Sequence, residues 1–253
     1  MSHLPTTSTR TAPAPSAHAP SDANASDASS VRSGSLSSVC TPRHLALVPE
    51  SCPLTRESAV AWLDTLSALI DGCEHTGVAQ LSVFVCGNDF AEAEPLLREI
   101  RAWLCGNAAA LARKGIVCGV IGEPDLATRE ALRFAERAAR ENSVTETLRI
   151  NLAIGYDGRS ELAAAARKLA STPAAHSAGD VKQHLSTAAL PDVDLLVRTG
   201  GETRLSHFLL WQTAYAELLF VPTPWQNFTR EPLAQALNDF AQRRRTFGGL
   251  KKK

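Results

Sequence analysis

The sequence lacks the features that place a protein in a membrane or on nucleic acid. It has no apolar run near the roughly 18 to 20 residues that a bilayer-spanning helix needs, and residues 1–39 contain no apolar segment of a secretory signal. Lys plus Arg equals Asp plus Glu at 26 each, so no net positive charge attracts a phosphate backbone. These absences predict a cytoplasmic protein with at most peripheral membrane contact and no nucleic-acid partner.

Cysteine pairs of the kind that bind metals are also absent. None of the six cysteines belongs to a CxxC pair, and several lie in apolar stretches, which is typical of buried reduced thiols. We therefore expect reduced cysteines within the core. They are Cys40, Cys52, Cys73, Cys86, Cys105 and Cys118.

The first 40 residues differ sharply in composition from the rest of the chain. Ser, Ala, Pro, Thr and Asp dominate residues 1–40, which hold too little apolar surface to offset the entropy lost on ordering. This composition predicts a disordered tail, followed by one folded domain at 41–250. An organellar transit peptide is the alternative, and Asp22 and Asp27 count against it.

Strands and helices are predicted to alternate along the domain, which favours a parallel sheet covered by helices on both faces. The loop at 171–179 is predicted to be irregular. Ligands of such sheets lie beyond the carboxyl ends of the strands. Strands are predicted at His44–Val48, Leu81–Cys86, Ile116–Ile121, Leu148–Ile154, Val193–Val197 and Leu218–Val221. Helices are predicted at Ser58–His75, Ala93–Arg113, Leu126–Glu141, Arg159–Ala170, Ser206–Ala216 and Glu231–Arg244.

The loop after the fifth predicted strand has the composition of an anion site. Arg198 and Arg204 supply guanidinium groups, Gly200 and Gly201 allow backbone N–H groups to approach a ligand, and Ser206 adds a hydroxyl at a predicted helix start. A diphosphate is the natural ligand of this set. The alternative is that the arginines pair with surface carboxylates and the glycines form a tight turn.

A single carboxylate interrupts the apolar segment that follows this loop. Glu217 lies within residues 208–220, where an unpaired buried carboxylate would cost several kcal/mol. A divalent metal would explain it, because phosphate oxygens with one or two carboxylates are the usual environment of Mg²⁺.

Residues 194–217 resemble the signature of the cis-prenyltransferases, the undecaprenyl diphosphate synthase family. Tyr156–Glu161 and Phe247–Gly249 resemble two further family motifs, and the likeness extends over residues 42–250. It implies an α/β fold with a central parallel sheet, flanking helices and a hydrophobic tunnel, usually in a homodimer. It further implies Mg²⁺ bound by Glu217, and the diphosphate of isopentenyl diphosphate held by Arg198, Arg204 and Ser206.

The resemblance fails in two loops. The family's Asp-Gly-Asn-Gly-Arg-Trp segment, which binds the allylic diphosphate, is missing, and Glu50 stands at the position of its metal-assisting Asp. Glu50 is therefore predicted to be catalytic and to bind Mg²⁺, with a solvated loop glutamate as the alternative. Asn88 is the second candidate catalytic residue, because it matches the family's proton-handling asparagine after a shift in register, and Thr246 replaces an arginine.

Three functions fit these observations. The first is condensation of isopentenyl diphosphate with an allylic diphosphate. The second is rearrangement, cyclisation or irregular coupling of an allylic diphosphate, since only one diphosphate site is retained. The third is a weakly catalytic subunit in a heterodimer with a related prenyltransferase.

Overall fold

The computed structural model describes residues 41–142, 144–171 and 177–246. The predicted tail at 1–40, the motif Phe247–Gly249 and Cys40 lie outside the described residues.

The described chain alternates strands and helices as predicted. The strands are β1 (His44–Val48), β2 (Gln80–Cys86), β3 (Ile116–Ile121), β4 (Leu148–Ile154), β5 (Leu195–Arg198) and β6 (Glu217–Phe220). The helices are α1 (Arg56–Thr76), α2 (Phe90–Arg113), α3 (Leu126–Glu141), α4 (Gly158–Ala170), α5 (Ala178–His184) and α6 (Arg230–Gln242), with a short 3-10 helix at Trp225–Asn227. Among the described helices, none combines the length and the apolar character that spanning a bilayer requires.

The six strands form one parallel sheet in the order β3-β4-β2-β1-β5-β6. The chain runs from β1 to β2 on one side and later returns to β5 on the other side. The carboxyl end of β1 is therefore a point where strand order reverses, and such points are where open parallel sheets bind ligands.

Two apolar clusters cover the sheet. The larger cluster packs α1, α2 and α6 on one face and contains Leu47, Leu66 and Leu97, each with no exposed surface. The smaller cluster covers the other face, where Phe208 and Leu209 pack against β1 and β5. Both faces of β1 are thereby buried, which explains its uninterrupted apolar composition.

One prediction about local structure was wrong. Residues 206–215 form successive turns in place of the predicted helix, because Ser206, His207 and Leu209 have φ values of 50°, 58° and 45°. These left-handed conformations interrupt the helical hydrogen-bond ladder. At the end of the loop predicted at 171–179, Ser177 and Asp180 form a capping box, so residues 178–179 already belong to α5; residues 172–176 lie outside the described residues.

The cysteine prediction was partly right. The five described cysteines are free, and Cys73, Cys86 and Cys118 are buried. Cys105, in contrast, is exposed on α2, and Cys52 is partly exposed.

Candidate active site

A cleft of about 220 Å³ opens at the carboxyl ends of β1, β2 and β5. Glu50 enters it from the loop after β1, and Arg198 from the end of β5. Its polar lining is completed by Ser51, Ser206, Asp89 and Glu92, and its less polar lining by Pro49, Cys52, Phe84, Val85, Cys86, Gly87 and Ala93. The cleft contains both charged and apolar groups and lies at the end of the sheet where a ligand site is expected from the sequence.

Glu50 is held in place by hydrogen bonds from two other loops. The Thr199 hydroxyl donates to Glu50 Oε2 over 2.6 Å, and the Trp225 N–H donates to Oε1 and Oε2 over 3.0 and 3.1 Å. The Trp225 ring in turn stacks on Trp62 with 4.9 Å between centroids. These contacts give the carboxylate a fixed position at the cleft.

Gly200 makes room for Glu50. Its φ is 73°, and a Cβ built on it would lie 2.4 Å from Glu50 Cβ, which is closer than real contacts allow. Its N–H donates to the Thr223 carbonyl over 2.9 Å, and the Gly201 N–H donates to Val221 over 2.8 Å. Both N–H groups, which were predicted to bind a ligand, therefore already donate to backbone carbonyls. Gly200 is instead required because Glu50 packs closely against its Cα.

Arg198 is the cation of the cleft. The residue is only 5% exposed, and its buried Nε makes no hydrogen bond with the described residues. Burial lowers the pKa of the Arg198 guanidinium, while the carboxylates Glu202 and Glu50 oppose that shift. A buried guanidinium stays charged and leaves a hydrogen-bonding direction open, so an anion in the cleft would complete its environment.

Ser206 and Arg204 are separated. Ser206 lines the cleft together with Arg198 and Glu50. The Arg204 side chain is 75% exposed and pairs with Glu202. Arg204 therefore pairs with a surface carboxylate of its own loop, which is the alternative to diphosphate binding that the sequence left open.

Glu217 lies away from the cleft within one chain. It is the first residue of β6 and lies opposite Leu195, whereas Arg198 lies opposite Phe220. Three register positions separate Glu217 from Arg198, which is about 10 Å along a strand. Its carboxylate accepts a hydrogen bond from Arg243 over 3.3 Å, so any metal held by Glu217 in a single chain lies outside the cleft.

Asn88 also lies outside the cleft. It is exposed and lines a neighbouring cavity of about 410 Å³. That cavity also contains Tyr156, whose hydroxyl donates to Glu161 over 2.7 Å. Burial raises the pKa of the Tyr156 hydroxyl far above its ordinary range. The two residues beside Asn88, Gly87 and Asp89, are the ones that reach the cleft.

The turn after β4 supports the segment that carries Ser206. The Gly158 N–H donates to the His207 carbonyl over 3.0 Å, and a Cβ on Gly158 would lie 2.5 Å from that oxygen. Asp157 Oδ1 lies 3.3 Å from His207 Nδ1. Two sequence motifs far apart in the chain thus meet next to the cleft.

A family model described as "Putative undecaprenyl diphosphate synthase" matches residues 55–248. The chain belongs to the cis-prenyltransferase family. It is 35% identical over 203 residues to isoprenyl transferase 2 of Bradyrhizobium diazoefficiens, covering 74% of this chain and 79% of that protein. It is 30% identical over 227 residues to the isoprenyl transferase of Geobacter sulfurreducens, covering 82% and 92%.

Solved structures of this family match the fold. Lavandulyl diphosphate synthase of Lavandula x intermedia, in complex with dimethylallyl diphosphate, has a TM-score of 0.72 at 26% identity and covers 82% of this chain and 98% of its own. A probable undecaprenyl diphosphate synthase of Campylobacter jejuni has a TM-score of 0.68 at 25% identity with the same coverage. This cis-prenyltransferase is a prenyl-transferring enzyme of the prenyl diphosphate synthase type, with the predicted parallel sheet and flanking helices.

The cleft of this cis-prenyltransferase fits a magnesium ion bound together with substrate. Among the described residues, no group of three or more His, Cys, Asp or Glu side chains converges on one point. Magnesium nevertheless binds through one or two carboxylates plus phosphate oxygens and water. Glu50 supplies such a carboxylate near the unpaired Arg198 Nε.

Sequence reasoning missed four residues of this site. Thr199 and Trp225 anchor Glu50, and Asp89 and Glu92 form a carboxylate wall at the start of α2. Thr199 adjoins Arg198 in the loop that was predicted to bind an anion, and Asp89 precedes a predicted helix. The local sequence could therefore have pointed to both residues. Trp225 had none, because its contact joins loops 175 residues apart.

Proposed function

We propose that this enzyme condenses isopentenyl diphosphate with a short allylic diphosphate in a magnesium-dependent reaction. The observation that carries the proposal is the pairing, in one cleft, of a buried guanidinium without a partner at Nε and a fixed carboxylate. Arg198 Nε is the open donor, and Glu50 is the carboxylate. Together they suit a diphosphate with a bound cation.

Each residue of the cleft has a proposed task. Arg198 and Ser206 donate hydrogen bonds to the diphosphate of isopentenyl diphosphate, and Glu50 holds the metal. Bound Mg²⁺ would neutralise charge on the diphosphates, the electrostatic contribution that usually dominates such catalysis. Thr199 and Trp225 keep the Glu50 carboxylate from turning away, since both donate to it. Glu217, which pairs with Arg243, and Asn88, which lines the neighbouring cavity, are given no part in this site.

The apolar part of the cleft supports short starter substrates. Phe84, Val85 and Ala93 line it, and Leu96 and Leu97, which belong to the same apolar cluster as Val85 and Ala93, have no exposed surface. A long prenyl chain could enter only if these packed side chains moved, which close-packed interiors resist. We therefore expect dimethylallyl or geranyl diphosphate to be preferred over farnesyl diphosphate.

Irregular coupling or another reaction of an allylic diphosphate is the second candidate. The loop at 49–55 contains no basic residue, so the allylic site of the family has lost its arginine. A structure with the same fold is a lavandulyl diphosphate synthase in complex with dimethylallyl diphosphate. This reaction would use allylic diphosphate alone.

One assay separates the two candidates. Purified enzyme is incubated with Mg²⁺, labelled isopentenyl diphosphate and dimethylallyl, geranyl or farnesyl diphosphate in turn. We expect a longer labelled prenyl diphosphate, and Arg198→Ala should abolish it, while Arg133→Ala on the exposed face of α3 should not. No labelled product with any starter would reject condensation, and turnover of dimethylallyl diphosphate alone would support the second candidate.

We also propose that the enzyme works in the cytoplasm as a homodimer or as a heterodimer with a related prenyltransferase. Exposed apolar side chains on the edge strand β6 and just before it support a partner surface: Tyr215, Leu218 and Phe220 are 62%, 37% and 37% exposed. Sedimentation of the purified chain tests this. A monomer that becomes active only with a related prenyltransferase would select the heterodimer.

A further inference from the structure

A second cavity, called the side cavity below, adjoins the cleft at residues 50–52. It has a volume of about 280 Å³, and Glu50, Ser51 and Cys52 line both spaces. A ligand held at Glu50 can therefore extend into the cleft or into the side cavity. The rest of the lining comes from the loop before α1, from α1 and from the 3-10 helix: Pro53, Leu54, Ser58, Trp62, Trp225 and Gln226.

The lining of the side cavity suits a hydrocarbon. Trp62 and Trp225 are 2% and 1% exposed, and their rings stack on one another. Pro53 and Leu54 add aliphatic surface, and the described residues contribute no Lys, Arg or His to the lining. An anion would find no cation there, whereas an apolar group would leave water for an apolar surface. The side cavity is therefore unsuited to a diphosphate and suited to an uncharged chain.

Leu54 is an independent feature of this space. Its side chain is 62% exposed, in the loop between β1 and α1. Single exposed leucines are common on protein surfaces, but Leu54 borders a cavity whose lining includes two buried tryptophans. A hydrocarbon chain in the side cavity would remove apolar surface of Leu54 from water, which is favourable in proportion to the area covered.

The cleft alone is too small for both substrates of a condensation. Sites for small molecules commonly have about 300 to 1,000 Å³, whereas the cleft has about 220 Å³. Leu96 and Leu97, packed in one apolar cluster with Val85 and Ala93, resist the entry of a longer chain. The cleft and the side cavity together reach the usual range. A second hydrocarbon group thus has room beside Glu50.

We propose that the hydrocarbon chain of the allylic substrate lies in the side cavity, against Leu54, Trp62 and Trp225, and that Leu54 limits the length of chain accepted. This inference rests on the proposed condensation. It assigns the isopentenyl group to the cleft and the chain of the allylic substrate to the side cavity. The allylic diphosphate then lies with the metal at Glu50, where the two spaces meet.

Photoaffinity labelling locates the allylic chain directly. The probe is geranyl diphosphate with a diazirine at the end of its chain, bound to the purified enzyme with Mg²⁺, and peptide mass spectrometry maps the labels after irradiation. We expect labels within residues 53–62 and 225–226, and unlabelled geranyl diphosphate should suppress them. Labels confined to residues 84–97, or no label within 53–62 that geranyl diphosphate suppresses, would overturn the inference.

A substitution of Leu54 gives the second test. Leu54→Trp narrows the side cavity at an exposed position, so the fold should tolerate it. The KM for geranyl diphosphate should rise roughly tenfold, while the KM for isopentenyl diphosphate stays the same. Leu126→Trp is the matched control and should change neither KM, since Leu126 is 67% exposed and lines neither space.

The outcomes separate this inference from the proposed condensation. An equal rise of both KM values in Leu54→Trp, or no rise in either, would contradict the role of Leu54. Failure of the wild type to elongate isopentenyl diphosphate would reject the condensation. The photolabels would still locate the allylic chain in that case, because they require binding and not turnover.

Discussion

Replacing Gly200 by Ala tests whether Glu50 is positioned by the loop that carries Arg198. The new methyl group would lie 2.4 Å from Glu50 Cβ, 2.6 Å from Cγ and 2.9 Å from Cδ. Contacts this short force Glu50 to move, because the methyl group is fixed to the backbone. The carboxylate would then leave the Thr199 hydroxyl and the Trp225 N–H.

The cost has two parts. An alanine at φ 73° carries left-handed strain of roughly 1 to 2 kcal/mol. Loss of at least one hydrogen bond to the charged Glu50 adds roughly 1.5 to 3 kcal/mol. The free energy of unfolding should therefore fall by roughly 2.5 to 5 kcal/mol, which corresponds to a Tm lower by roughly 5 to 20 °C for a domain of this size.

Gly201→Ala is the matched control. Gly201 has a φ of 76°, but a Cβ there would have no atom within 4 Å. It should cost only the strain, roughly 1 to 2 kcal/mol. Calorimetry of both variants gives the difference between their losses in the free energy of unfolding. This extra loss in Gly200→Ala should disappear when Glu50→Gly is added, because the clashing side chain is then gone. Equal Tm values for the two alanine variants, or an unchanged excess without Glu50, would refute the reasoning.

Three further predictions follow from the same geometry. Arg198→Ala should weaken pyrophosphate binding by roughly 1.5 to 3 kcal/mol in titration calorimetry, and unchanged affinity would make Arg198 structural. A hydrogen bond from the Ser160 hydroxyl is the main cause that lowers the pKa of Asp157. The stabilisation of the fold by the ionised Asp157 is full above the ordinary carboxyl pKa of about 3.9 and is lost as pH falls. In urea unfolding, Asp157→Ala should therefore be about 1 kcal/mol less stable than the wild type at pH 7, and this difference should close below about pH 4. A difference that stays constant with pH would contradict this. Burial raises the pKa of the Cys52 thiol to about 11. Mass spectrometry should therefore find Cys52 alkylated by iodoacetamide only as the pH approaches that value, with the exposed Cys105 as the reference. Rapid labelling of Cys52 at pH 8 would disprove this prediction.

The order of strands and helices could be predicted from the sequence because each element carried its own periodicity. Ile116–Ile121 and Leu148–Ile154 were placed at both ends, since glycine or polar residues bound these apolar runs. The segment 206–215 could not be placed correctly. Its apolar residues have helical spacing, but Phe208 and Leu209 are buried through left-handed turns that the loop Tyr156–Gly158 supports.

The site was only partly readable for a similar reason. Arg198 and Ser206 were identified from local composition and Glu50 from the resemblance to the family's first loop, and the three do share one cleft. The grouping of Glu217 with them could not be checked from the sequence, because strand register decides it and places Glu217 opposite Leu195. Long-range contacts such as Trp225 to Glu50 leave no local pattern at all.

The most direct test of the account is a crystal structure of the protein with Mn²⁺ and inorganic pyrophosphate, using anomalous scattering to locate the metal. We expect a manganese peak at the Glu50 carboxylate and pyrophosphate oxygens within hydrogen-bonding distance of Arg198. Pyrophosphate bound in the cavity beside Asn88, or a cleft in which the metal contacts no carboxylate, would contradict it.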